Sequence, residues 1–225
     1  MAKKNFQKED EQLQNVGEAL NTAGLWFEKN EKILEWILLG VIIVVVGVVM
    51  LSRYVIKPKA VEASNENAKA EAYFMQGDYT KALNGDEADC IGFAEIAASY
   101  SLYQQGKLAA LYAGICNYQL GEYEEAAKYL KKFDAEDLTI DAAASQLLGD
   151  AYVELGEYSK AIFAFKAAAK SGNKLIAPMA LKKAGITYLE MGNKSAAKLV
   201  FETIKSDYPM SQEAQDIDKY IAIAQ

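Results

Sequence analysis

The residue types that do chemistry are scarce in this chain of 225 residues, which has no histidine. That removes Ser-His-Asp and Cys-His nucleophile pairs, and every zinc site built on imidazole. The two cysteines, Cys90 and Cys116, cannot complete a four-cysteine zinc site or a dense disulfide framework. A bridge between them needs an oxidising compartment and suitable geometry. Cys116, inside an apolar helical run, reads as a small apolar residue. Two acidic clusters, Glu122-Glu124-Glu125 and Asp134-Glu136-Asp137, are spaced as solvated helix ends or loop surface. A hard cation needs several converging oxygens, and acids opening a helix complement its dipole without further purpose. The expectation is a protein without catalytic residues, metal or cofactor, and not an enzyme.

The elements that would position any functional surface fall into two parts. Trp36 to Leu51 (WILLGVIIVVVGVVML) is an unbroken apolar run. Extended to Ile33 and Tyr54, it makes roughly 33 Å of helix, close to the ~30 Å hydrocarbon thickness of a bilayer. Trp36 and Tyr54 stand where interfacial aromatics belong. No small-x-small cleavage site follows closely, so the segment reads as a retained anchor over 33–56 and not as a signal peptide. Lys29 and Lys32 flank it on one side, Arg53, Lys57 and Lys59 on the other, so flanking charge is nearly balanced, leans slightly to the repeat side among the close residues, and does not decide the orientation. Residues 1–32 carry Leu13, Val16, Leu20 and Phe27 at helical spacing, an amphipathic tail that lies on the membrane, meets a partner helix, or simply leads into the span. The net charge of −7 resides beyond Lys57, and an acidic domain repels phosphate backbones, which argues against a nucleic-acid partner.

Beyond the span the chain repeats itself. AGICNYQLGEYEEAAKYL, LGDAYVELGEYSKAIFAF and AGITYLEMGNKSAAKLVF place a glycine, a second glycine seven later and an alanine five later. These are Gly114/Gly121/Ala126, Gly149/Gly156/Ala161 and Gly185/Gly192/Ala197. The pattern describes a helix hairpin. The first glycine allows close helix approach, the second ends the first helix at positive φ, and the alanine keeps the axes near each other. Phe165 and Phe201 follow the alanine by four and are expected to point toward the next hairpin. A partial copy, Tyr73, Gly77, Asp78, Tyr79 and Ala82, precedes these. It is broken by NGDEAD at 84–89 and followed by a helix over about 91–105. Ser211 is expected to cap a last helix bearing Ile217, Tyr220 and Ile221, for roughly eight or nine helices in all.

This framework resembles the tetratricopeptide repeat (TPR) family over about 107–209, with Ala110, Ser145 and Leu181 in place of the family's early tryptophan. The resemblance implies an all-α fold, a single N-terminal transmembrane helix followed by an α-α superhelical, TPR-like solenoid. It also implies that the first helix of each pair lines a concave binding face. Carried over, that face comprises Leu111, Ile115, Tyr118, Gln146, Asp150, Val153, Lys182, Ile186 and Leu189. The lysine and asparagine clamp of chaperone-tail-binding TPR proteins is absent. The surface suits an extended apolar peptide or a partner helix, or is filled by the chain's own end helix or by residues 60–105.

The layout of short tail, single span and degenerate acidic TPR domain resembles the bacterial ancillary SecYEG translocon subunit family. That resemblance implies a single-pass inner-membrane protein with a periplasmic TPR domain, binding protein partners such as translocon components or exported chains. The lipid bilayer is met through residues 33–56. Its segments would be 1–32 tail, 33–56 anchor, 57–106 divergent N-terminal helices, 107–209 three repeats and 210–225 capping helix. A scaffold for envelope assembly or cell division, or a cytoplasm-facing membrane adaptor, fits the same layout.

Overall fold

The computed structural model describes residues 26, 29–86, 88–133 and 137–225. Most of the amphipathic tail, including Leu13, Val16, Leu20 and Phe27, lies outside the described residues, as do Asp134 and Glu136. The chain divides into two units, Met1–Pro58 and Lys59–Gln225. There is no strand among the described residues.

The first unit contains α1, Glu31–Leu51, which buries none of its side chains. Apart from half-buried Leu34, its large apolar residues run from 46% exposed at Leu39 to 73% at Trp36. A π turn follows over Ser52–Ile56, in which the Lys57 N–H donates to the Ser52 carbonyl. Proline inside a helix lacks an N–H and crowds the carbonyl four residues back, and a widened turn relieves that conflict. Here the turn lies immediately before Pro58 and includes Tyr54, four residues back.

The second unit is a run of helices: α2 (Lys57–Met75), α3 (Tyr79–Asn84), α4 (Gly92–Ser99), α5 (Gln104–Gln119), α6 (Tyr123–Lys132), α7 (Leu138–Glu154), α8 (Tyr158–Ala169), α9 (Ile176–Glu190), α10 (Lys194–Asp207) and α11 (Ile217–Ile223). These ten exceed the expected eight or nine. The helix expected over about 91–105 is α4 and already ends at Ser99; a turn in which the Tyr103 N–H donates to the Tyr100 carbonyl separates it from α5, the first helix of the first repeat. Ser211 caps only a short 3₁₀ turn, Glu213–Gln215, accepting from the Ala214 N–H at 3.2 Å, and α11 starts beyond it. The polar stretch after Pro58 is part of α2.

α5/α6, α7/α8 and α9/α10 form three successive hairpins. Each first helix ends the same way. Gly121, Gly156 and Gly192 have φ of 81°, 71° and 74°. Beside them the Glu122, Glu157 and Asn193 N–H groups reach back to the carbonyls of Asn117, Tyr152 and Tyr188, at 2.8 Å each. That is a Schellman closure, which needs a left-handed residue where glycine bears no steric penalty. The partial copy does likewise: Gly77 has φ 77° and the Asp78 N–H meets the Tyr73 carbonyl at 3.0 Å.

The other glycine of each repeat serves close approach. A Cβ on Gly149 would overlap the Phe165 ring, one on Gly185 the Phe201 ring, and one on Gly114 the Leu130 side chain. The aromatics therefore lie across the glycine of their own hairpin, where they were expected to point at the next. The reason is geometric: the missing side chain leaves room for a ring between two near helices. Phe165 and Phe201 are both buried, and Ala126, Ala161 and Ala197 are fully so.

The segment between α3 and α4 is organised by one carboxylate. Asp86 Oδ2 accepts the Tyr73 hydroxyl at 2.5 Å, and Oδ1 accepts the N–H groups of Ala88, Asp89 and Cys90 at 2.9, 2.9 and 3.0 Å. The Tyr73 hydroxyl first, and the backbone donors after it, hold this carboxyl far below the usual range. The same bond, reinforced by desolvation, pushes Tyr73 up to about 12. A carboxyl depressed on folding contributes stability that is complete above its unfolded pKa near ~4 and is lost as pH falls toward the folded value. Asp86→Ala is expected to raise amide exchange at Ala88, Asp89 and Cys90 by roughly tenfold or more, the scale of one lost charge-assisted hydrogen bond. In the parent chain the same amides should loosen only below about pH 4. Unchanged exchange in the variant would remove Asp86 from this role.

Candidate functional site

The nine residues expected on the concave face lie on the three first helices: Leu111, Ile115 and Tyr118 on α5, Gln146, Asp150 and Val153 on α7, Lys182, Ile186 and Leu189 on α9. All are half-buried except Ile186, which is exposed. They do different jobs. Tyr118 and Val153 pack against the core built from α6 to α10, and Tyr118 also meets the Tyr123 ring edge-on at 5.4 Å. Asp150 receives Lys183 Nζ at 2.6 Å, tying α7 to α9. Burial still raises the Asp150 carboxyl above its ordinary value, against the pull of that lysine. Gln146 Oε1 is buried without a hydrogen-bond partner among the described residues.

The C-terminal segment takes up the far end of this face. Lys182 Nζ donates to Asp216 Oδ1 at 2.7 Å and stands 4.7 Å from the centre of the Tyr220 ring. Leu189 packs with Phe201, Ile204 and Ile217 in the core closed by α11. The ends of a helical array need such a cover because each hairpin buries apolar surface only against its neighbours. Leu111, Ile115 and Ile186 are the aliphatic groups of the set that stand outside the hydrophobic cores.

Neither thiol is placed for reaction. Cys90 and Cys116 are both free and buried in the core shared by α2–α5, and burial pushes Cys116 up to about 12. Among the described residues no three thiols or carboxylates converge as a metal site would require.

Sequence reasoning missed a second surface. A cleft of about 460 Å³ opens on the side of the second helices, walled by α6 and α8 and floored by Ser145, Leu148 and Tyr152 of α7. Phe163 stands at its rim, 77% exposed. None of the nine expected residues lines it. The signal was a comparison between copies: Ser145 and Ala164 occupy positions that Leu181 and Val200 fill one repeat later.

Tetratricopeptide-repeat family profiles match the chain at 100–136, 142–171 and 180–211, one match per hairpin. These segments are TPR repeats. Solved structures agree on the fold. The crystal structure titled MamA protein superposes with a TM-score of 0.58 at 22% identity, over 72% of this chain and 80% of that one. A second MamA structure gives 0.51 at 21%, over 69% and 91%. The nearly identical TPR-like repeats of a Podosopora anserina protein described as a kinesin light chain give 0.54 at 12%, over 73% and 85%. No curated protein matches the chain. The TPR repeats make the second unit a protein–protein interaction module, a fold that is typically a scaffold and not an enzyme.

Proposed function

We propose that this protein is a membrane-anchored TPR module that binds partner proteins or exported polypeptides at the inner-membrane translocon, with its repeats in the periplasm. The observation that carries the anchoring is α1: twenty-one residues of mean composition fit for hydrocarbon, with no side chain buried. Soluble proteins rarely leave so large a contiguous apolar surface in water. The binding role rests on the TPR unit, and the translocon setting on the likeness of layout to the ancillary SecYEG subunit family.

A cytoplasm-facing adaptor is the second reading, favoured by Arg53, Lys57 and Lys59 standing on the repeat side of the span. A reporter thiol separates the two. Cys90 and Cys116 are buried and stay silent, whereas Ser195 is exposed at the start of α10. Ser195→Cys is expected to react with an impermeant maleimide in intact spheroplasts. Labelling only after lysis would overturn the periplasmic reading. Photoreactive groups at Ile115 and Ile186 are then expected to capture translocon components or exported chains. Links confined to residues 60–105 or 211–225 would mean that the chain covers its own face.

A further inference from the structure

The cleft between α6 and α8 is a second docking surface, and its chemistry specifies an occupant. We infer that it receives an amphipathic helix of a partner protein, with large apolar side chains on one face and acidic residues beside them. This follows from the cleft alone and does not depend on what the concave face binds.

Small side chains open the cleft. Shifted by one repeat, Ser145, Ala164 and Ala167 correspond to Leu181, Val200 and Thr203. In the later position Leu181 and Val200 pack into the core. In the earlier one the small residues leave the space empty. From Ser145 to Tyr152 the floor follows α7 for roughly 10 Å, which matches two turns of a docked helix anchored at i, i+3 or i+4, and i+7. The walls are two neighbouring helices, whose groove accepts the ridge of a third.

Charge selects what flanks the docked apolar stripe. The chain as a whole is acidic, at −7, yet the charged side chains lining the main cleft are Lys131 and Lys160. Glu157 neutralises Lys160 at 2.7 Å, while Lys131 makes no ion pair among the described residues. An acidic helix is repelled by most of this surface and attracted here, and such complementarity selects partner and register more than it adds affinity. Phe163, exposed at the rim, offers a large apolar surface that a docked helix would cover.

The test uses the full chain in detergent and two labelled, stapled helical peptides with the same leucine stripe, one flanked by glutamates and one by lysines. The glutamate peptide is expected to bind roughly tenfold or more tightly than the lysine peptide. Lys131→Glu, a change at an exposed position, should abolish or invert that preference. Ser145→Leu with Ala164→Val, which installs the residues of the next repeat, should weaken binding roughly tenfold without lowering the unfolding temperature. Equal binding of the two peptides overturns the inference, as does binding indifferent to both variants. Self-association of the chain that the filled variant abolishes also overturns it, since the occupant would then be a second copy.

Discussion

Phe201→Ala is expected to lower the free energy of unfolding by about 3–5 kcal/mol, the range for deleting a buried aromatic ring. Phe201 is fully buried, and its loss opens the last hairpin both to Gly185, on which the ring lies, and to Tyr220, whose ring centre is 5.4 Å away. A domain of this kind has about 5–15 kcal/mol to lose, so the variant should unfold at much lower urea. The companion substitution identifies the mechanism. Gly185→Ala alone should destabilise, since a Cβ there overlaps the ring and overpacking costs about 1–3 kcal/mol. In the Phe201→Ala background the same change should stabilise, because alanine exceeds glycine in helix propensity by about 1 kcal/mol and nothing remains to collide with it. A Gly185→Ala variant as stable as the parent would show that the hairpin does not depend on this contact.

Removing residues 33–56 is expected to convert the protein from one that stays with membranes through alkaline carbonate to one recovered in the soluble fraction. The segment Ile33–Leu51 holds fourteen Ile, Leu and Val residues. At about −0.3 to −0.6 kcal/mol each, they favour insertion by roughly 4–8 kcal/mol as an upper bound. One arginine at the centre costs about 2.5–3.5 kcal/mol, so Val44→Arg alone should leave much of the protein inserted. Val44→Arg with Val45→Arg should release most of it. Carbonate fractionation followed by immunoblotting reads the series. A deletion variant that still pellets in carbonate would mean that α1 is not the anchor.

The repeat framework was legible because it is written in residues with few alternative uses. Gly121, Gly156 and Gly192 can be read as left-handed closures from spacing alone, since a helix that stops before a second helix needs such a residue. Gly149 and Gly185 were legible as points of close approach, but not the identity of what approaches. The ring that fills the space comes from sixteen residues downstream, and either face of α8 or α10 would have satisfied the periodicity. The loop around Asp86 looked like an interruption. Its order comes from the Tyr73 hydroxyl, thirteen residues earlier, meeting three backbone donors at one carboxylate.

The candidate surfaces divide along the same line. Assigning nine residues to the concave face took the TPR resemblance together with the period of the repeats, and all nine lie on α5, α7 and α9. Whether a residue there is offered outward depends on its neighbours. Lys182 is taken by Asp216 and Asp150 by Lys183, pairings that join residues 34 and 33 positions apart. The cleft above α7 was written as small residues at Ser145, Ala164 and Ala167, which in a single copy look like ordinary helix filler.

By itself, then, the sequence determined the all-helical class, the hairpin period, the sites of helix termination and a stretch apolar enough to span a bilayer. Each of these depends on local backbone geometry or on composition over a few turns. Only the tertiary structure decided which ring closes which glycine, how the end helix covers the last repeat, and where the array leaves space between helices. Those outcomes depend on the summed volumes and charges of side chains far apart in the chain, which no local pattern encodes.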